Sequence, residues 1–164
     1  MKIIISIVIS FLQIFSVRTL AQQTDSLNLR VPESLYLDIS TLLLIGNASI
    51  NFETPFSNHI LFRTGLGGGY VAGILDHSGE TSFGLLAMVN FLTAGSSYRF
   101  EFGLGASLNK MFKENRDNSE WKGRPALVVG YRYQSYSGGF VFRIGLGYTF
   151  AFGTPLYLSF GWAL

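Results

Sequence analysis

Phe142-Arg143-Ile144-Gly145-Leu146-Gly147 decides the fold, because it is not unique in the chain. The same order recurs as Phe62-Arg63-Thr64-Gly65-Leu66-Gly67 and as Phe100-Glu101-Phe102-Gly103-Leu104-Gly105. Side chains alternate sides along a β-strand. Read with that period, each copy has one face of aromatic and aliphatic groups and another of a single charge followed by two glycines. Strands of this kind predict an all-β chain, a transmembrane antiparallel up-and-down β-barrel of about eight strands, with the apolar face turned outward.

Composition agrees. The chain has 164 residues, enough for one domain, and is 48% hydrophobic, 15% aromatic and 13% charged. Soluble domains carry about 25% charged residues, so much of this surface need not meet water. Met1-Lys2, the apolar run Ile3 to Phe15 and Thr19-Leu20-Ala21 before Gln22 read as a signal peptide over 1–21. The apolar run is short for a membrane-spanning helix, which needs about 20 residues. With no cysteine in the chain, disulfides and lipoprotein attachment are excluded. Loss of Lys2 and Arg18 with the signal would leave ten basic against ten acidic residues, so no basic patch points to nucleic acid.

Residues 22–34 are polar and read as a periplasmic lead-in, and 35–164 as the barrel. The expected strands are Leu35 to Ile45, Ala48 to Thr54, His59 to Tyr70, Thr81 to Leu92, Ser97 to Asn109, Arg124 to Gln134, Gly139 to Phe150 and Leu156 to Leu164. Gly46-Asn47, Pro55 to Asn58, Ala94-Gly95-Ser96, Ser135 to Gly138 and Gly153-Thr154-Pro155 are expected to turn the chain. Val71 to Glu80 and Lys110 to Gly123 are the two long loops.

A soluble eight-stranded barrel of the lipocalin kind would turn the apolar face inward, and volume opposes that. An eight-stranded lumen is only just wide enough for side chains to fill. Phe52, Phe62, Phe83, Phe91, Phe100, Phe102, Phe140, Phe142, Phe150, Phe160 and six Tyr and Trp rings would not fit there, whereas the Gly, Ser and charged face would. Loop lengths point the same way. With both termini periplasmic, both long loops fall on the extracellular side, where such barrels carry their longer connections.

The segments Gly130-Tyr131-Arg132-Tyr133-Gln134 and Gly138-Gly139-Phe140-Val141-Phe142-Arg143, with the glycine-rich strands Arg63 to Tyr70 and Glu101 to Gly105, resemble the small outer-membrane β-barrel family common in Bacteroidetes-type bacteria. The resemblance covers about residues 35–164. It implies an outer-membrane location and, for most members, no assigned activity. Members usually end in Phe or Tyr, read by the barrel-assembly machinery that would be a partner during insertion. This chain ends in Leu164, with Trp162 two residues earlier.

Asp38, Glu53, Arg63, Arg99, Glu101, Arg132 and Arg143 are expected to face inward in the periplasmic half of the lumen, because a charge facing lipid at mid-depth costs about 2–4 kcal/mol. Three acids and four bases in a narrow lumen predict a mixed-sign network that closes it. Ser49, Asn51, Ser107, Asn109, Thr149 and Tyr157 would line the outer half, read as filled core, with room for water or a small ligand as the alternative.

Other motifs carry less. Asp76-His77-Ser78-Gly79-Glu80 holds the atoms of a Ser/His/carboxylate set, but catalysis needs geometry rather than adjacency. His59 reads as a turn residue. Gly65-Leu66-Gly67-Gly68-Gly69 lacks the following helix of a phosphate loop. Two distant histidines and no cysteine offer no metal site, and no cofactor is implied. The loop Lys113 to Glu120 has mixed charge and reads as a solvated cap. The function expected is a non-enzymatic structural or interaction role among outer-membrane lipids and lipopolysaccharide. The alternatives are a narrow passive conduit for small solutes and, further off, a lipid A-modifying enzyme.

Overall fold

A computed structural model describes residues 31–42, 45–71, 80–93, 97–113, 121–150 and 156–164. Eight antiparallel strands follow one another around a closed barrel: β1 (Ser34–Leu42), β2 (Ile45–Pro55), β3 (Ile60–Val71), β4 (Glu80–Leu92), β5 (Tyr98–Lys113), β6 (Trp121–Gln134), β7 (Gly139–Tyr148) and β8 (Leu156–Ala163). Closure is made by β1 against β8, with Ser34 opposite Ala163 and Ser40 opposite Tyr157. A closed barrel leaves no unpaired strand edge, which a bilayer requires. We call the end that holds Ser34 and Ala163 the terminus end and the other the far end.

The alternation places the apolar face outside. Ile50 is 60% exposed, Phe100 65% and Leu146 60%. Tyr98, Tyr131, Phe140 and Trp162 stand on the same outer wall near the terminus end. An aliphatic belt rimmed by aromatic rings is the lipid-facing surface of transmembrane strands. On the same strands Arg63, Asn90, Glu101 and Arg143 are buried inside.

The boundaries differ from the sequence reading in three places. Gly46 and Asn47 do not turn the chain. They lie within β2, opposite Thr41 and Ser40, and Asn47 is buried in the lumen. Among the described residues the positive-φ glycines are Gly138 and Gly139 alone, at the β6–β7 turn. The β1–β2 connection falls at 43–44, outside the described residues, within an apolar run that reads locally as strand. The second difference is at the far end, where the β5–β6 hairpin continues through polar residues, pairing Asn109 with Lys122 and Lys110 with Trp121. A polar stem needs water around it, not an end to backbone pairing. Third, β7 stops at Tyr148. Phe150, expected on the lipid face, instead turns inward and is 1% exposed. Past the last β7–β8 pair no ladder holds its parity, and the lumen offers it a packed apolar site.

That site is one of three layers filling the barrel. Toward the far end Leu86, Met88, Ala126, Val128, Phe150 and Tyr157 form an apolar plug. At the terminus end Val31 packs on Leu61 and Leu92, with Tyr136 against them. Residues 31–33, expected as part of a lead-in outside the barrel, thus cover its mouth, and Ser34 already belongs to β1. The charged residues lie between these two layers.

Candidate functional site: the luminal charge network

Seven strand positions bring the charges together. Asp38 comes from β1, Glu53 from β2, Arg63 from β3, Arg99 and Glu101 from β5, Arg132 from β6 and Arg143 from β7. All are buried, Asp38 being the most exposed at 8%. The register sets Arg99 opposite Arg132 and Arg132 opposite Arg143, a row of three guanidinium groups on one wall. Adjacent like charges destabilise a sheet, so this row needs carboxylates from elsewhere around the barrel.

Carboxylates reach Arg132 and Arg143. Arg132 Nη1 lies 2.5 Å from Glu53 Oε2 and 3.4 Å from Glu101 Oε2. Arg143 donates through Nε to Glu101 Oε2 at 2.9 Å and through Nη2 to Glu101 Oε1, and its Nη1 lies 3.5 Å from Asp38 Oδ1. Arg99 lies with its guanidinium carbon 4.1 Å from the centroid of the Tyr136 ring, where a cation is held by the ring face. Arg63 pairs with Asp38 and donates through Nε to Asn51 Oδ1 at 3.0 Å. Glu53 and Arg63 are direct cross-strand partners, yet their side chains part. Arg63 turns to β1, while Glu53 crosses to β6, four strands away on the opposite wall.

Neutral groups satisfy further valences, as buried charge requires, while Arg63 Nη1 and Arg143 Nη1 find no hydrogen-bond partner. Glu53 accepts from Tyr36 Oη at 2.7 Å, Asn90 Nδ2 at 2.6 Å and Ser34 Oγ at 3.3 Å. Ser159 donates to Asp38. Arg132 Nε donates to Gln134 Oε1 at 2.7 Å, and Gln134 Nε2 donates to the Pro32 carbonyl at 3.0 Å, joining the covered mouth to the network. The Tyr36 ring lies 4.5 Å from the Arg143 guanidinium carbon. Tyr36, Ser34, Asn90, Gln134 and Ser159 were not singled out from sequence. Their signal is parity: each stands on the alternation face that its strand turns to the lumen, as Tyr36 does two residues from Asp38 and Gln134 two residues from Arg132.

The repeat glycines make room for side chains of neighbouring strands. A Cβ on Gly145 would lie 2.6 Å from Gly130 Cα and 2.9 Å from Tyr157 Cε1, and one on Gly103 would lie 2.8 Å from Met88 Cε. The space above each repeat charge is therefore occupied by side chains from neighbouring strands. A cavity of about 10 Å³ remains, lined by Asp38, Ser40, Ser49, Thr149 and Tyr157 among others, about the room one water needs.

No group of three or more His, Asp or Glu side chains able to hold a metal occurs among the described residues. Asp76, His77 and Ser78 lie outside the described residues, and Glu80 begins β4. His59 sits at the β2–β3 turn, its Nδ1 3.2 Å from the Leu92 carbonyl.

No protein-family profile matches the sequence. No curated protein matches it either. Among solved structures, the chain is similar to the N-terminal β-barrel domain of Pseudomonas aeruginosa OprF, with a TM-score of 0.55 and 11% identity over 82% of this chain and 98% of that one. The fold is that of an eight-stranded outer-membrane barrel. Ail, the attachment invasion locus protein of Yersinia pestis, aligns with a TM-score of 0.49 and 11% identity over 82% of this chain and 97% of that one.

Proposed function

We propose that the chain is an integral outer-membrane β-barrel with a closed lumen, its termini in the periplasm, serving a non-enzymatic structural or interaction role. This reading rests on the Arg132–Glu53 ion pair, which joins walls four strands apart. A solute would have to break it and then pass the Leu86, Met88, Val128 and Phe150 plug. The luminal carboxylates face guanidinium groups rather than a substrate-sized space, which supports a structural use for them. Placing the termini in the periplasm is supported by the three longer connections, 72–79, 114–120 and 149–155, all joining strands at the far end. The glycine and Tyr-Arg-Tyr motifs support membership of the Bacteroidetes-type family of small barrels. The outer wall supports a setting among outer-membrane lipids and lipopolysaccharide, reached through the barrel-assembly machinery.

Planar-bilayer recording tests closure. The wild-type barrel is expected to stay at baseline conductance. Stepwise openings by the wild type would overturn the closed-lumen reading in favour of a conduit.

A further inference from the structure

The outer wall carries one exception. Among the described strand residues Lys110 is the only charged side chain whose parity places it outside. It shares the outward row of β5 with Phe102, Leu104 and Leu108, while the charges of the other strands fall on luminal parity. Its register neighbours are Phe83 on β4 and Trp121 on β6, 48% and 50% exposed. Its Nζ lies 5.4 Å from the Phe112 ring centroid, so the side chain lies along the wall.

Depth explains why a charge is tolerated there. The stretch from Tyr98, in the terminus-end aromatic rim, to Lys110 spans about 30 Å along the barrel axis at about 3.3 Å per residue and a tilt of about 40°. That is the thickness of a hydrocarbon core, so Lys110 stands at its far edge, at the level of lipid headgroups. One row down, Leu108 stands between Leu85 and Gly123, and one further down the wall is recessed, where Ala106 stands between Ala87 and Pro125. Leu104, between Val89 and Leu127, closes the recess from beneath.

We infer that Lys110, flanked by Phe83, Phe112 and Trp121, seats the headgroup of a phosphate-bearing lipid of the surrounding leaflet, with one acyl chain in the Ala87, Ala106 and Pro125 recess. The occupant follows from charge: the one outward-parity cation among the described strand residues, at headgroup depth on a wall with no carboxylate among its described residues, meets lipid phosphate as its counter-ion. An ammonium donates up to three hydrogen bonds to phosphate oxygens, and its stem can lie on apolar surface while its head reaches the interface. The seat rests on the membrane reading above.

Native mass spectrometry of the detergent-held barrel, titrated with dioleoyl phosphatidic acid and with dioleoylglycerol, tests it. Wild type is expected to retain phosphatidic acid at about tenfold lower concentration than Lys110→Met, the order of one charge-assisted hydrogen bond. Lys110→Arg should match wild type, Ala106→Leu should weaken phosphatidic acid retention by filling the recess, and dioleoylglycerol should not distinguish wild type from Lys110→Met. Equal phosphatidic acid retention by wild type and Lys110→Met, in barrels with heat-modifiable gel mobility, would overturn the seat alone. A wild-type chain that fractionates as soluble protein would remove the membrane reading and the seat with it.

Discussion

Replacing Glu53 by Met should test whether charges on opposite walls hold the barrel. The substitution leaves Arg132 buried, with Glu101 at 3.4 Å as its nearer remaining carboxylate contact, and strips the acceptor from Tyr36 Oη and Asn90 Nδ2. Removing one partner of a buried ion pair costs about 3–5 kcal/mol, and the orphaned donors keep the loss at the upper end of that range. Arg132→Met is expected to cost about 3–5 kcal/mol as well, leaving the Glu53 carboxylate buried without its cation. The double variant removes both charges and puts two apolar side chains in their place. It retains only the orphaned neutral donors, about 2–3 kcal/mol in all. It should thus be no less stable than either single variant. Urea unfolding in lipid vesicles, followed by the fluorescence of Trp121 and Trp162 on the outer wall, gives the four free energies of the cycle. Additive losses, with a coupling below about 1 kcal/mol, would refute the cross-lumen pairing.

Two further substitutions probe the packing around the network. Gly145→Ala should lose about 1–3 kcal/mol in the same urea assay, since its Cβ would meet Gly130 Cα and Tyr157. Gly46→Ala, where a Cβ meets nothing within 4 Å, should be neutral or slightly stabilising in a strand; equal losses at both would refute the space-making role of Gly145. Val31→Asp should unseat residues 31–33 from Leu61 and Leu92, because a carboxylate there would be buried without a cation. The chain has no cysteine, so Leu92→Cys provides a single probe. A water-soluble maleimide should label it slowly when Val31 is present and quickly beside Val31→Asp, and equal rates would show that Val31 does not cover the mouth.

Period-two alternation is a local property, written residue by residue, and it carried most of the architecture. It was enough for eight strands, for the outward rings of Phe100, Phe102 and Phe160, and for the inward side of all seven charged positions. It fails where local pattern and local structure part. Leu42 to Ile45 reads as uninterrupted strand although the chain connects β1 to β2 there, and the polar stem of β5 and β6 reads as loop although its backbone stays paired.

The sequence by itself determined that the seven network charges enter the lumen, because a charge facing lipid at mid-depth is too costly and the pleat leaves only one other side. Which of them meet was decided by the closed barrel alone. Register places Glu53 opposite Arg63, yet curvature and closure bring Glu53 to Arg132 across the lumen and leave Arg63 to Asp38. Phe150 and Val31 likewise take inward sites that no strand alternation assigns, because both lie beyond the paired strands. Contact across a lumen depends on strand number and stagger summed around the whole barrel, and no single stretch of chain contains that sum.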